Sequence, residues 1–287
     1  MEIVFTSVSF SYDDKKQKDK TYALKDINIR LEDNKIHGII GPIGSGKTTL
    51  LELMNGITRP TLGTVSVGSY NITSRSNNFN FNKFRKDVGL VYQFPEKQFF
   101  CGTVGEEVAF SAKHLNKNNK GIKTKISKIL KMVGLDQTYI NRSPFELNGG
   151  EKRRIAIASV LISNPKLLIL DEPTIGLDEK SKKSLMKLLK TLKTKYKKTI
   201  IIVTHDVDML FDIVDNIVVL NKGEVVKQGT KLEVFKEVEL LDKNNCPVPS
   251  IVRFEKIIYD KTGIDLGYCE SMNTLIRRIE KKVKDHE

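Results

Sequence analysis

Cysteine is scarce in this chain of 287 residues: Cys101, Cys246 and Cys269 stand alone, with no C-x-x-C pair and no even-numbered framework. That excludes a disulfide-stapled scaffold and fits a reduced, cytosolic compartment in which the thiols are buried or inert. No uninterrupted apolar run approaches the ~18 residues that a membrane span needs. The N-terminal Met1-Glu2-Ile3-Val4-Phe5 lacks the basic and long apolar regions of a secretory signal, so no leader is expected. With 8 prolines and 19 glycines, 39% hydrophobic and 29% charged residues, the composition excludes collagen-like and mostly disordered chains. At about 150 residues per domain, the length allows one large domain with an appendage, or two domains.

Acidic residues are outnumbered 48 to 35, a net charge of +13. Such an excess suits nucleic acid or an anionic membrane. The lysines are scattered along the chain, however, and a solvated lysine-rich surface explains them more simply. Charge does not decide function here.

Short strands are expected through the first 70 residues, over Ile3–Phe5, Val8 to Phe10, Ile27–Leu31 and Ile36–Ile40. A glycine-rich turn follows from Gly41 to Gly46, then a helix through Thr48–Met54 that Asn55-Gly56 stops. From about 104 to 160 the pattern is helical; Ile122, Ile126, Ile129, Leu130 and Val133 form one stripe, ended by Gly134. Leu167–Leu170 and Ile200–Val203 have the length and apolarity of buried strands, as does the run ending in Ile217–Leu220. Between the first two, a helix over roughly 180–196 buries Leu185, Leu188, Leu189 and Leu192. Strands alternating with helices indicate an α/β fold with a mostly parallel sheet. After about 234 the composition shifts: Asn244–Pro249 is a linker, followed by amphipathic segments through Ile251, Phe254 and Ile258 and through Leu275, Ile279 and Val283.

Three motifs carry chemistry. Gly41-Pro42-Ile43-Gly44-Ser45-Gly46-Lys47-Thr48 fits the phosphate-loop pattern G-x-x-x-x-G-K-[ST], with an apolar strand entering and a helix leaving. Glycines let successive N–H groups point inward as an anion nest, and the new helix adds its positive end. Lys47 supplies a mobile charge for the β- and γ-phosphates, and Thr48 a hydroxyl for Mg²⁺. Second, Leu167-Leu168-Ile169-Leu170-Asp171-Glu172 is an apolar strand ending in two carboxylates at the sheet edge where ligands bind in open α/β folds. Asp171 can hold Mg²⁺ through water; Glu172 can accept a proton from an attacking water or orient it. Third, Ser143-Pro144-Phe145-Glu146-Leu147-Asn148-Gly149-Gly150-Glu151-Lys152-Arg153-Arg154 opens a helix with two glycines, another cluster of amides suited to an anion.

The order of these motifs resembles the ATP-binding cassette family of P-loop NTPases, whose signature is written L-S-G-G-Q. The resemblance runs from about residue 2 to 233. It implies a mostly parallel core sheet with an N-terminal antiparallel β-subdomain, an inserted helical subdomain at about 96–160, and a small C-terminal extension. It implies ATP and Mg²⁺ as ligands, held by Gly41 to Thr49, with Thr48, Gln93 and Asp171 on the metal and Glu172, His205 and Lys47 as catalytic groups. Tyr12 is similar to the aromatic on which adenine stacks, with Tyr22 a weaker candidate. Gln93 matches the glutamine that touches Mg²⁺ and senses the γ-phosphate. Gly176-Leu177-Asp178 matches the loop that crosses the dimer interface, and His205 the switch histidine. Asn148, Gly149 and Gly150 would face the nucleotide of an opposite subunit.

Finer likeness narrows the family. Gln93-Phe94-Pro95-Glu96-Lys97-Gln98-Phe99-Phe100, Ser143–Leu147 and Pro249–Phe254 resemble the ATPase subunits of energy-coupling factor transporters, the CbiO type, and more closely the second of their two ATPase kinds. That implies a subunit powering uptake of a vitamin or metal ion from the cytoplasmic face of the cell membrane. Its partners would be a second ATPase in a heterodimer, a transmembrane coupling subunit and a substrate-binding membrane subunit, with no nucleic acid. The extension, residues 234–287, would help the ATPases hold together. Gln93 through Phe110, with Phe99 and Phe100 exposed, is the expected docking surface; otherwise these phenylalanines belong to the core.

The signature departs from the family at two positions: Asn148 stands for Ser and Glu151 for Gln. The expectation is an asymmetric heterodimer in which the site built on this chain's Lys47, Asp171, Glu172 and His205 is the stronger. The competing reading, a soluble cassette ATPase acting on nucleic acid or a protein assembly, is kept open by the charge. Against it, no sustained heptads lie between Lys47 and Asn148, and the chain has one cassette. An inactive scaffold is disfavoured because the catalytic set is complete.

Overall fold

A computed structural model of the chain describes residues 1–13, 21–75, 79–115, 121–267, 269 and 272–284. Two sheets organise the described residues. The strands β1 (Ile3–Phe10), β2 (Leu24–Leu31), β4 (Leu62–Val67) and β5 (Tyr70–Ile72) form an antiparallel sheet in the order β2-β1-β4-β5. The other six, β3 (Ile36–Ile40), β6 (Val88–Val91), β7 (Leu167–Asp171), β8 (Thr199–Val203), β9 (Asn216–Asn221) and β10 (Glu224–Thr230), run β10-β9-β3-β8-β7-β6. All neighbours in that sheet are parallel except the β9–β10 hairpin.

The helices are α1 (Lys47–Met54), α2 (Phe81–Asp87), α3 (Val104–Leu115), α4 (Ile122–Met132), α5 (Gly149–Leu161), α6 (Glu179–Thr194), α7 (Val207–Ile213), α8 (Lys231–Phe235), α9 (Val238–Lys243), α10 (Ser250–Thr262) and α11 (Met272–Lys284). Every residue of β3 and β8 is buried, which requires cover on both faces of the sheet. The period-2 alternation of strands divides that cover. Leu168, Leu170, Ile200 and Ile202 face a core shared with α5, α6 and α7. Leu167, Ile169, Ile201 and Val203 face α1 and the antiparallel sheet. Because the strands are parallel, the carboxyl ends of β3, β7 and β8 emerge together on one edge.

Between β6 and β7, the stretch for which a helical subdomain is expected, α3 packs on α4 and α5. Ile126 and Leu130 of the expected stripe are buried, Ile122 and Ile129 pack beside them, and Gly134 leaves the helix at φ 78°. The expected division at 233/234 falls inside α8, whose Val234 and Phe235 are buried in the same core as α6 and α7. Ile251, Val252, Leu266, Cys269 and Leu275 join that core too, and Ile258 and Ile279 pack against it. Phe254 instead is 44% exposed; the side chain of Val283 lies outside the described residues. The amide and hydroxyl of Ser250 donate to the Asp208 carboxylate at 2.7 and 2.9 Å, fastening α10 to α7. Cys246 and Cys269 are buried, and none of the three cysteines is in a disulfide. Among the described residues no helix is long and apolar enough to cross a membrane.

Candidate functional site

The phosphate loop runs from the tip of β3 to α1. At Gly41 a Cβ would lie 2.1 Å from the Leu220 carbonyl oxygen, so the loop can leave the sheet here only without a side chain. Gly46, the N-cap of α1, has φ 99°, a conformation side-chain-bearing residues avoid. Among the described residues no side chain caps α1, and no acidic residue occupies its first turn. Its leading N–H groups and positive end are therefore left for an anion. Ile43 and Gly44 are exposed, Ser45 and Thr49 buried, and the Thr48 side chain is open to solvent. The Lys47 ammonium donates to the carbonyls of Gly41 and Pro42, each at 2.8 Å. Burial pushes the pKa of Lys47 down, opposed by Glu172, Cys246 and Asp171.

The acidic pair ends β7, two strands from β3 in the same parallel ladder. Burial, then the neighbouring Glu172 carboxylate, raise the pKa of Asp171. Glu172 is buried and holds a left-handed backbone at φ 46°, a conformation a non-glycine residue keeps only when its surroundings enforce it. Here they do: the Glu172 N–H donates to the Val203 carbonyl at 2.8 Å. Oε2 accepts from the Thr204 hydroxyl at 3.0 Å and from the His205 N–H at 3.3 Å. Oε1 lies 3.4 Å from His205 Nε2, whose side chain is about half exposed. The Thr204 oxygen in turn accepts from the Asp206 N–H at 3.0 Å. The tip of β8 and the residues just after it thus clamp one carboxylate.

Tyr12 stands beside α1: its hydroxyl is 2.9 Å from Thr49 Oγ1 and donates to Glu52 at 3.3 Å, while its ring is 61% exposed and meets Phe10 edge-on. Tyr22 is half-buried. Gln93, half-buried, leaves β6, and its carbonyl accepts from Arg153 of α5 at 2.7 Å.

The signature residues lie elsewhere. Asn148, Gly149 and Gly150 line a cavity of about 500 Å³ with Tyr139, Glu151, Gly176, Leu177, Asp178 and Ser181, and no residue of the phosphate loop reaches it. The two departures from the family pattern prove to be one device. Asn148 Oδ1 accepts from the Glu151 N–H at 2.9 Å, and Glu151 Oε2 accepts from the Asn148 N–H at 3.1 Å. That is a capping box, in which Asn and Glu fulfil the same reciprocal roles as Ser and Gln. Glu151 Oε1 also accepts from the Tyr139 hydroxyl at 2.7 Å, so its charge is committed to the helix start. Asn148 can still donate to a ligand through its amide hydrogens.

Not every expectation holds. Phe99 is not part of an exposed surface: it is 9% exposed and packs in the main core with Val104 and Val108. Phe100 is 61% exposed and stacks edge-on against Phe110, with Phe94 also exposed. Thr204 and Arg153 were missed. Thr204 lay hidden as the residue just past an apolar strand. Arg153 had a readable signal, since 153, 157 and 161 share one helix face and Ile157 and Leu161 are buried there with it.

Comparison with known proteins accords with this geometry. The chain matches the ABC transporter family over residues 24–175. It is 41% identical over 259 residues to the energy-coupling factor transporter ATP-binding protein EcfA2 of Enterococcus faecalis, covering 90% of this chain and 89% of the relative. It is 40% identical to the EcfA3 protein of Oenococcus oeni, covering 98% and 97%. Among solved structures it is similar to CbiO1 of Clostridium perfringens, described as part of the ABC transporter complex cbiONQ, with a TM-score of 0.74 and 34% identity over 88% of this chain and 98% of that one. A dimeric ATP-binding cassette, MJ0796, described in a post-hydrolysis state with ADP and Pi, matches with a TM-score of 0.70 and 28% identity over 79% of this chain and 98% of that one. With a phosphate loop, an acidic strand tip and a capped signature helix in this arrangement, the chain belongs to the ABC transporter family, among its energy-coupling factor ATP-binding proteins.

Proposed function

We propose that Glu172 is the general base of ATP hydrolysis in this chain, with the phosphate loop as the nucleotide's cradle. The observation that carries this reading is the buried Glu172 carboxylate, fixed by Thr204 and His205 and close enough to Lys47 to act on its charge. The amides of Gly41 to Thr49 receive the phosphates and Lys47 swings from its loop carbonyls to the β- and γ-phosphates. Tyr12 stacks on adenine. Glu172 takes the proton of the attacking water, and His205, beside it, steadies the γ-phosphate.

Among the described residues no group of three or more His, Cys, Asp or Glu could enclose a metal. One hydroxyl, one amide and one carboxylate, from Thr48, Gln93 and Asp171, suit Mg²⁺, which keeps waters and takes ligands from phosphate. Asp171, crowded by Glu172 and burial, gains from a nearby cation. Mg²⁺ supplies neutralisation of phosphate charge; proton transfer stays with Glu172.

By likeness to its relatives, the chain works at the cytoplasmic face of a membrane. It pairs with a second, non-identical ATPase whose signature completes the site on this chain's phosphate loop, while Asn148–Gly150 complete the partner's. Phe94, Phe100 and Phe110 form the docking surface for a transmembrane coupling subunit, joined to a substrate-binding subunit for a vitamin or metal ion. Residues 234–287 help hold the ATPases together, through side chains left exposed on α10 and α11 such as Phe254, Ile257, Met272 and Ile276. Closure on ATP and reopening after hydrolysis drive the membrane partner. Purification in mild detergent with mass spectrometry tests this: a multi-span protein and a second cassette ATPase should co-purify. Recovery of nucleic acid alone would overturn it.

A further inference from the structure

Arg153 is 3% exposed and sits on α5 one turn beyond Gly149. A guanidinium cannot shed its charge, so its burial calls for acceptors in fixed places. Nη1 donates to the Gln93 carbonyl at 2.7 Å and reaches the Tyr92 carbonyl at 3.4 Å, while Nη2 donates to the Ile175 carbonyl at 3.2 Å. These acceptors belong to segments far apart in sequence. Tyr92 and Gln93 are the main chain leaving β6; Ile175 lies in the turn between Glu172 and Gly176. That turn is tight, for the Ile175 N–H donates to the Glu172 carbonyl at 3.4 Å and the Leu177 N–H to the Thr174 carbonyl at 3.1 Å. Displacement at Ile175 therefore passes to the main chain of Glu172, whose left-handed backbone has little freedom to absorb it.

A planar fork holds two carbonyls at one separation, which a single ammonium on a flexible stem does not. We propose that Arg153 is a positioning residue for ATP hydrolysis. Its guanidinium fixes the main chain at Gln93 and at Ile175 to the start of the signature helix, so that Gln93, Glu172 and Asn148–Gly150 keep one mutual geometry. This rests on the roles given above to Gln93 and Glu172. It adds that the signature helix and the base of the same subunit are mechanically one piece, joined through two carbonyls and not through side-chain chemistry.

The test uses the full-length chain in its purified complex, with Arg153→Met, Arg153→Lys and Arg153→Ala, and with Glu172→Gln as control. Arg153→Met removes the fork and keeps an apolar stem. Its kcat should fall about tenfold or more, the scale expected when catalytic groups are displaced by an ångström or less, while the Kd for Mg-ATP stays within about threefold. Arg153→Lys should fall between, and millimolar ethylguanidinium should restore part of the kcat of Arg153→Ala. A kcat within about twofold of wild type in Arg153→Met overturns the proposal, as does a loss of kcat matched by equal losses in ATP affinity and thermal stability. If Arg153→Met does not fold, the same limits apply to Arg153→Lys, which keeps charge and stem but not the fork. Glu172→Gln separates the two readings. Should it retain hydrolysis, the assignment of the base fails whatever Arg153 does; should it abolish hydrolysis while Arg153 variants stay normal, only the present proposal fails.

Discussion

Replacing Glu172 by Gln changes one atom in a carboxylate that the fold holds by three contacts. Oε2 accepts from the Thr204 hydroxyl at 3.0 Å and the His205 N–H at 3.3 Å. A glutamine carbonyl can accept both. Its amide then occupies the place of Oε1, 3.4 Å from His205 Nε2, where a neutral imidazole can accept from it. Shape and burial are kept, so the variant should fold with a Tm within a few degrees of wild type and bind Mg-ATP comparably. What is lost is a group able to take a proton from water. General base catalysis contributes about 10² to 10⁴ in rate, or roughly 2.7 to 5.4 kcal/mol of barrier. Phosphate release under single-turnover conditions should therefore slow by about 10² or more, and Mg-ATP binding by calorimetry should change little. Hydrolysis near the wild-type rate in a folded, nucleotide-binding Glu172→Gln would refute the assignment. Equal loss of binding and hydrolysis would instead make Glu172 a ligand for the nucleotide.

Thr204→Val keeps the volume but removes the hydroxyl that donates to Glu172 and accepts from the Asp206 N–H. It should cost about 1–3 kcal/mol of stability, as for a buried polar group left unpaired, and lower kcat more than ATP affinity; denaturant titration and steady-state kinetics read both. Asp171 offers a pH test. Its folded pKa is raised, so the protonated form favours the fold, and that contribution is complete at low pH and lost as pH rises through the folded pKa. Asp171→Asn should then be more thermally stable than wild type at pH 7 without nucleotide, the gap narrowing as pH falls toward the ordinary aspartate range, and it should lose Mg²⁺-dependent ATP binding. A gap that widens on acidification would contradict the burial argument. Asn148→Ser with Glu151→Gln preserves a capping box and should leave Tm nearly unchanged while raising ATP turnover of the complex; unchanged turnover would count against a weakened second site.

Much of this site was legible because its chemistry is local in sequence. Gly41 to Thr48 brings loop, cation and hydroxyl within one turn between β3 and α1, and Leu167–Glu172 writes a buried strand and its carboxylates in a single run. Single positions matched to the family pattern follow strand ends: Gln93 comes after β6 and His205 after β8. What stayed hidden depends on long-range contact. Arg153 and Gln93 meet across 60 positions, and nothing near Arg153 announces that a carbonyl awaits it. At Glu151 only the departure from the family pattern was visible, because its partner Tyr139 and its bond to the Asn148 N–H appear only once α5 is built. Phe99 and Phe100 are adjacent and chemically identical, yet one is core and the other surface, since the backbone is extended at Phe99 and successive side chains there point to opposite sides. The antiparallel half of β4 and β5, with serine, glycine and asparagine among its residues, has no apolar run to mark it.

The most direct measurement is thermal unfolding of the full-length chain with Mg-ATP, ATP without Mg²⁺, and AMP, in wild type and Lys47→Ala. A ligand held at 100 times its Kd stabilises the fold by about 2.7 kcal/mol. Wild type should gain stability with Mg-ATP, gain less without the metal, and gain almost nothing from AMP, which lacks the β- and γ-phosphates; Lys47→Ala should lose most of the gain. An equal shift from AMP, or a Lys47→Ala protein stabilised as fully as wild type, would contradict the claim that this loop grips a polyphosphate.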